Sequence, residues 1–185
     1  MSNAAYGEMC RVMSMAPRTT GFFNRVSAGA LAQREYADVA HDVFVSKRRV
    51  RFNEMEYSVP LADAPEVLAE VHRVIDTCGI PVGFPIEVRA TAADDVPLST
   101  AKGRESCYIA AHRYHRDDYR EFFRVIEPIL VAAGGRPHWG KHHTLGFAEL
   151  STVHDALHTV ADLRAQVDPD GVLRNRYVDR VFGLG

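Results

Sequence analysis

The chain has 185 residues, enough for one domain around a single core and too few for two of typical size. Apolar residues make up 46% and charged residues 25%, which excludes a disordered chain. The 22 basic and 24 acidic residues leave a net charge of −2, so nothing in the bulk electrostatics advertises a nucleic-acid or anionic-membrane partner. No apolar run approaches the roughly 18 residues of a membrane span. Cys10, Cys78 and Cys107 have no metal-site spacing and fit a reduced intracellular protein. The expected location is cytoplasmic, with peripheral membrane association left open. Residues 1–4 read as a cloning scar and are set aside from the fold.

Residues 5–52 show no sustained period and read as a connecting arm with an edge strand around Val43-Phe44-Val45, followed by the basic knot Lys47-Arg48-Arg49. The pattern sharpens over 53–185. Met55 to Val59 alternates as a strand. Asp63-Ala64-Pro65-Glu66 reads as a capped helix start, and Val67, Leu68, Val71, Val74, Ile75 and Cys78 mark one helical face that Gly79 ends. Ile86 to Thr91 alternates again, placing Glu87, Arg89 and Thr91 on one face. After a polar loop, a strand is predicted over 106–114. A second amphipathic helix, kinked at Pro128, runs from Tyr119 to Gly134. Arg136 to Trp139 is extended, and a last helix runs from a Ser151 cap to Pro169. The order is β-α-β-β-α-β: an α+β, ferredoxin-like core, its antiparallel sheet covered by helices on one face, with an extra C-terminal helix.

Three strings carry chemistry. Glu87 and Arg89 point the same way, about 7 Å apart at the backbone. They are either an exposed strand ion pair worth under ~1 kcal/mol or a pair that serves a ligand. Gly134 to His143 holds the single Trp between glycines, histidines and Lys141. A plain loop, an organic-ligand site and a metal site all remain open there, although Pro137 and Gly140 oppose the helix that a His138/His142 metal pair would need. Val167 to Tyr177 is a helix end and a Pro/Gly turn, without the acids of an EF-hand loop.

Taken together, these strings resemble the C-terminal, substrate-side domain of the FAD-linked sugar-1,4-lactone oxidase family, which includes the D-arabinono-1,4-lactone, L-gulonolactone and alditol oxidases. The matching stretches are Phe52-Asn53-Glu54-Met55-Glu56-Tyr57, Glu87-Val88-Arg89, Leu98-Ser99, Gly103-Arg104, Arg136-Pro137-His138-Trp139-Gly140-Lys141, and Asp168-Pro169-Asp170-Gly171 with Asn175. The resemblance implies oxidation of a lactone or polyol hydroxyl carbon by hydride transfer to flavin, which oxygen or another acceptor then reoxidises. It assigns Glu87 and Arg89 to catalysis and, with His112, to substrate binding. Lys141, His138 and Trp139 fall at the cofactor, and no metal is implied. The family's N-terminal FAD domain has no counterpart in the sequence. FAD is therefore expected in the full-length enzyme, with none bound to this chain alone, which is expected to be inactive and to self-associate. The family's own FAD domain and a sugar lactone or polyol are the expected partners. Where alditol oxidases carry His and Thr, this chain has Ala110 and His112, which favours an aldonolactone over an alditol substrate. A non-catalytic ferredoxin-like ligand-binding module, and a metal hydrolase on His112, His138 and His142, stand as alternatives.

Overall fold

The structure, a computed structural model, describes residues 3–30, 37–45 and 50–184. Helices α1 (Asn3–Met15), α2 (Thr20–Ala30) and the short α3 (Ala40–Phe44) precede strand β1 (Phe52–Pro60). Helix α4 (Ala64–Thr77), strands β2 (Glu87–Thr91) and β3 (Ser106–Tyr114), helix α5 (Tyr119–Ala132) and strand β4 (Arg136–Pro137) complete the core. Helices α6 (Phe147–Val153), α7 (Leu157–Val167) and α8 (Arg176–Phe182) follow. The sheet order is β2-β3-β1-β4 and every pairing is antiparallel. This is the ferredoxin-like arrangement that the element order implies.

Alternation on the strands sorts the two sheet faces. Met55, Tyr57 and Val59 of β1 and Cys107, Ile109 and Ala111 of β3 are buried against α4 and α5 through Val67, Val71, Phe122, Ile126 and Leu130. Leu150, Leu157 and Val181 bring the three C-terminal helices into the same core. Gly135 allows the tight passage from α5 to β4, since a Cβ there would lie 2.3 Å from the Leu130 carbonyl oxygen.

Several local expectations change. In place of the expected connecting arm with an edge strand, residues 3–30 carry helices α1 and α2, and Val43 and Phe44 are helical in α3, while Lys47 to Arg49 lie outside the described residues. Only a narrow stripe of α1 is buried (Cys10 and Met13), and the exposed Val12, Met15, Phe22 and Val26 blur the period. Asp63 makes no cap, because the 3₁₀ turn Leu61–Asp63 runs straight into α4 and leaves Asp63 with helical backbone angles. Helix α5 passes through Pro128 without ending there. The single helix expected from a Ser151 cap is divided. Ser151 lies inside α6 with its hydroxyl on the Phe147 carbonyl, and His154 takes an extended conformation that breaks the helix and buries its ring beside Trp139. The last helix, α8, is additional and is capped by Asn175.

Candidate active site

The face of the sheet away from α4 and α5 is polar. Register places Glu54 of β1 opposite His112 of β3, and Glu56 opposite Ala110, which in turn faces Glu87 of β2. Arg89 stands one pair further along, beside Tyr108. The loop between β2 and β3 covers one end of this face: the Thr100 carbonyl accepts from Ser58 Oγ at 2.8 Å, and its hydroxyl lies 2.8 Å from that of Tyr108. In the middle of the face, where Glu87 and Arg89 keep solvent exposure, Glu56 and Glu87 are two strands, about 10 Å, apart at the backbone. Ala110 between them leaves room for Arg89 to cross the sheet and donate to Glu56 Oε2 through Nη2. Its Nη1 lies 3.5 Å from Glu87 Oε1.

Lys141 reaches the same point from the other side. The chain after β4 hangs on β1 by backbone bonds, His138 N–H to the Glu56 carbonyl and His142 N–H to the Glu54 carbonyl, both 2.9 Å. Lys141 Nζ then lies 2.7 Å from Glu54 Oε1 and 3.0 Å from Glu56 Oε2. Two cations therefore share one carboxylate that is 3% exposed. The structure brings Glu87, Arg89, His112 and Lys141 into one network and adds Glu54 and Glu56, which the sequence reading quoted but did not single out. Their signal was two acids at a spacing of two on a strand whose other face is core.

His112 is buried, its ring against Phe52 and Phe84 at centroid distances of 5.0 and 6.0 Å. Its Nε2 lies 3.2 Å from Glu54 Oε1 and 4.0 Å from Glu87 Oε2. Burial by itself raises the Glu54 carboxyl pKa. The hydrogen bonds and charges of His112 and Lys141 overcome this and hold it at about 2. Clefts flank the network on both sides. One, of about 590 Å³, is lined by Phe52, Phe84, Ile86, Glu87 and His112; the other, of about 450 Å³, by Glu54, Trp139, Lys141 and Tyr177.

His138 and Trp139 have internal partners. His138 Nδ1 accepts from the Gly140 N–H at 3.0 Å, and the Trp139 indole N–H donates to the Leu98 carbonyl at 2.8 Å. Their polar atoms shape the Lys141 loop, and Trp139 offers the second cleft only its ring. His142 stacks on Tyr119 at 4.4 Å and lies 3.2 Å from Asn53 Oδ1, so His112, His138 and His142 form no common cluster. Among the described residues, the group with metal-like spacing is Glu54, Glu87 and His112, whose ligand atoms lie within 4.8 Å of one another. Lys141 already supplies positive charge to Glu54 there.

A ferredoxin-like sheet with charged groups gathered on one open face is a module that presents its chemistry along that face. The sequence matches the D-arabinono-1,4-lactone oxidase family over residues 1–181, and the chain belongs to that family. It is 40% identical over 173 residues to the L-gulono-1,4-lactone dehydrogenase of Mycobacterium tuberculosis, covering 94% of this chain and 40% of the relative. The L-gulonolactone oxidase of Mus musculus is 31% identical, covering 90% and 39%. An alditol oxidase of Streptomyces is 33% identical over 128 residues, covering 68% of this chain and 30% of that protein. The chain thus spans about two fifths of the length of its first two relatives. Among the described residues, no helix is long and apolar enough to cross a membrane.

Proposed function

We propose that this chain is the substrate-side part of an FAD-dependent aldonolactone oxidoreductase, of the D-arabinono-1,4-lactone oxidase kind. The observation that carries the reading is the meeting of Arg89 and Lys141 on Glu56, with Glu87 alongside, on an open sheet face. These residues suit one face of a flavin ring: Lys141 brings a single cation to the edge of the second cleft, beside the Trp139 ring. They do not suit the dinucleotide tail, since the sequence has no Gly-x-Gly-x-x-Gly run joining a strand to a helix. Trp139 and His138 contribute shape more than polar contacts to such a ring.

Bound flavin supplies the acceptor for the hydride leaving the substrate carbon. The chain's residues handle the rest. Glu87, 39% exposed beside the first cleft, accepts the hydrogen bond of the reacting hydroxyl and takes its proton as the carbonyl forms. Arg89, 50% exposed, is held by Glu56 and Glu87 with guanidinium surface left for substrate oxygens. His112 faces the same cleft and orients a second hydroxyl, while Ala110 offers none of the polar contacts expected for a linear polyol. The ascribed substrate is therefore a sugar lactone.

Alone, the chain is expected to hold no FAD, to oxidise no lactone, and to self-associate through exposed apolar side chains such as Val88, Val167 and Leu173. The test of function uses the protein that joins this chain to its flavin-binding part. There, Arg89→Ala should lower lactone turnover by about 10²–10³-fold with little change in unfolding midpoint. Unchanged turnover would leave Arg89 an ordinary strand ion pair.

A further inference from the structure

We propose that the C-terminal segment from Asp168 to Phe182 is the positioning element of Lys141, acting through Tyr177. Its contact with function rests on the reading above; its contact with Lys141 does not. The Lys141 loop hangs on β1 by the two backbone bonds from His138 and His142, and the Trp139 indole ties it to the Leu98 carbonyl. On the other side Tyr177 meets it: the phenol donates to the Trp139 carbonyl at 2.6 Å, two residues before Lys141. His143 Nε2, two residues after Lys141, lies 3.0 Å from the same phenol oxygen. Because that phenol proton is spent on Trp139, His143 must donate through Nε2, leaving Nδ1 to accept from Arg180 at 3.4 Å. Arg180 also donates to the Leu145 carbonyl. One turn of α8 therefore grips residues 139 to 145 from Trp139 to Leu145, and Lys141 is the charged side chain at the centre of that span.

The segment before α8 sets where Tyr177 stands. The Asp168 carboxylate accepts from Val172 N–H at 2.7 Å, Leu173 N–H at 3.1 Å and Arg164 Nη2 at 3.0 Å. Gly171, at φ +68°, allows the turn. Asn175 Oδ1 accepts from the N–H groups of Tyr177 and Val178, both at 3.0 Å, and fixes the first turn of α8. Val181, buried in the core, anchors its end. This gives a physical reason for two distant strings, His138-Trp139-Gly140-Lys141 and Asp168-Pro169-Asp170-Gly171 with Asn175, to occur together. The second contributes no side chain to the acid–arginine face; it holds the first in place.

The chain holds an internal comparison, since Lys102 is also ion-paired, to Asp155 at 2.8 Å, but away from Tyr177. Acylation of the full 185-residue chain with an amine-reactive ester, followed by peptide mass spectrometry, reads both lysines at once. Tyr177→Phe keeps the ring and removes both phenol contacts. It should raise the rate at Lys141 relative to Lys102 about tenfold, the scale of one buried hydrogen bond. Tyr6→Phe, which removes a phenol of α1 set edge-on to Phe84, away from both lysines, should leave the ratio unchanged. An unchanged ratio in a folded Tyr177→Phe protein overturns the proposal, as does an equal rise in Tyr6→Phe. Should Tyr177→Phe fail to fold, Asn175→Ala, which frees only the first turn of α8, carries the same comparison with the same two outcomes. A raised ratio alongside normal lactone turnover in the flavin-bearing protein would keep the clamp and refute the role of Lys141 at the cofactor, so the two readings fail separately.

Discussion

Two buried carboxylates on opposite faces of one sheet are treated in opposite ways. Glu56, on the open face, is balanced by cations, Arg89 and Lys141, that reach it from partly exposed positions. Glu127, 5% exposed under the helices, is satisfied by the Tyr57 phenol at 2.5 Å, the Thr144 N–H at 2.6 Å and the Thr144 hydroxyl at 2.7 Å. Burial, then the bond to Glu127, pushes the Tyr57 phenol pKa up, so the phenol stays a donor at any pH the fold survives. Neutral donors around a buried carboxylate make a fixed structural joint. Cations with one side in solvent make a charge arrangement that a ligand can enter and share. One side of the sheet thus packs against an acid of α5 held by neutral donors, and the other carries an acid held by cations.

The largest stability effect should come from Glu127. Glu127→Ala strands the buried Tyr57 phenol and removes both Thr144 contacts, and should cost about 2–4 kcal/mol in denaturant unfolding, whereas Glu127→Gln, which keeps an acceptor, should cost less than half of that. A Glu127→Ala protein as stable as wild type would erase the contrast with the open face.

Acid should act next, and on the covered side first. Burial, then the charge of Arg180, lowers the His143 pKa to about 4; burial, then the charges of Arg136 and Arg104, does the same to His154. Both are held neutral in the folded state, so the unfolded chain binds more protons between its ordinary value near 6.5 and about 4. Stability is therefore full above that window and falls as pH drops through it, by about 2 kcal/mol or more. Glu54, held at about 2, adds a loss that begins as pH falls through its ordinary value near 4.5 and runs on to about 2. Unfolding free energy measured from pH 7 to 4 should slope downward, and His154→Phe should flatten that slope. A flat wild-type profile contradicts the burial of both imidazoles.

The smallest stability effect should come from Glu56→Gln. Arg89 and Lys141 have other acids, Glu87 and Glu54, to hold, and the first is half exposed. A loss within about 1 kcal/mol is expected in denaturant unfolding. A loss as large as that of Glu127→Ala would make the open-face set a structural joint as well.

How much of this was readable from the chain follows from which forces are local. Strands β1 and β3 and helices α4 and α5 follow from period-2 and period-3.6 patterns, because one face of each is core and the contrast is written in the residues themselves. Strand β2 alternates too, although its residues past Glu87 are exposed. Glu87 and Arg89 share a face because alternate residues of any strand do, and the glycine-flanked Lys141 after the last strand could be turned toward them. The partner acids were less legible. Glu54 and Glu56 alternate with Met55 and Tyr57 in the manner of any half-exposed strand, and only the arrival of Lys141, of His112 at Glu54 and of Arg89 at Glu56 reveals what they hold. The internal partners of the His138 and Trp139 polar atoms, Gly140 N–H and the Leu98 carbonyl, are backbone groups that no sequence pattern marks. Helix α8 was invisible for a related reason: its start is fixed by the Asn175 cap and its place by long-range contacts to Trp139 and Leu145.

The most direct test of the central claim replaces Glu87 by Gln in the flavin-bearing protein and measures lactone turnover beside the unfolding midpoint. The account predicts a turnover loss of about 10²–10⁴-fold, the range for removing a general base, with an unfolding midpoint indistinguishable from wild type. Wild-type turnover in Glu87→Gln, with the fold intact, would contradict it.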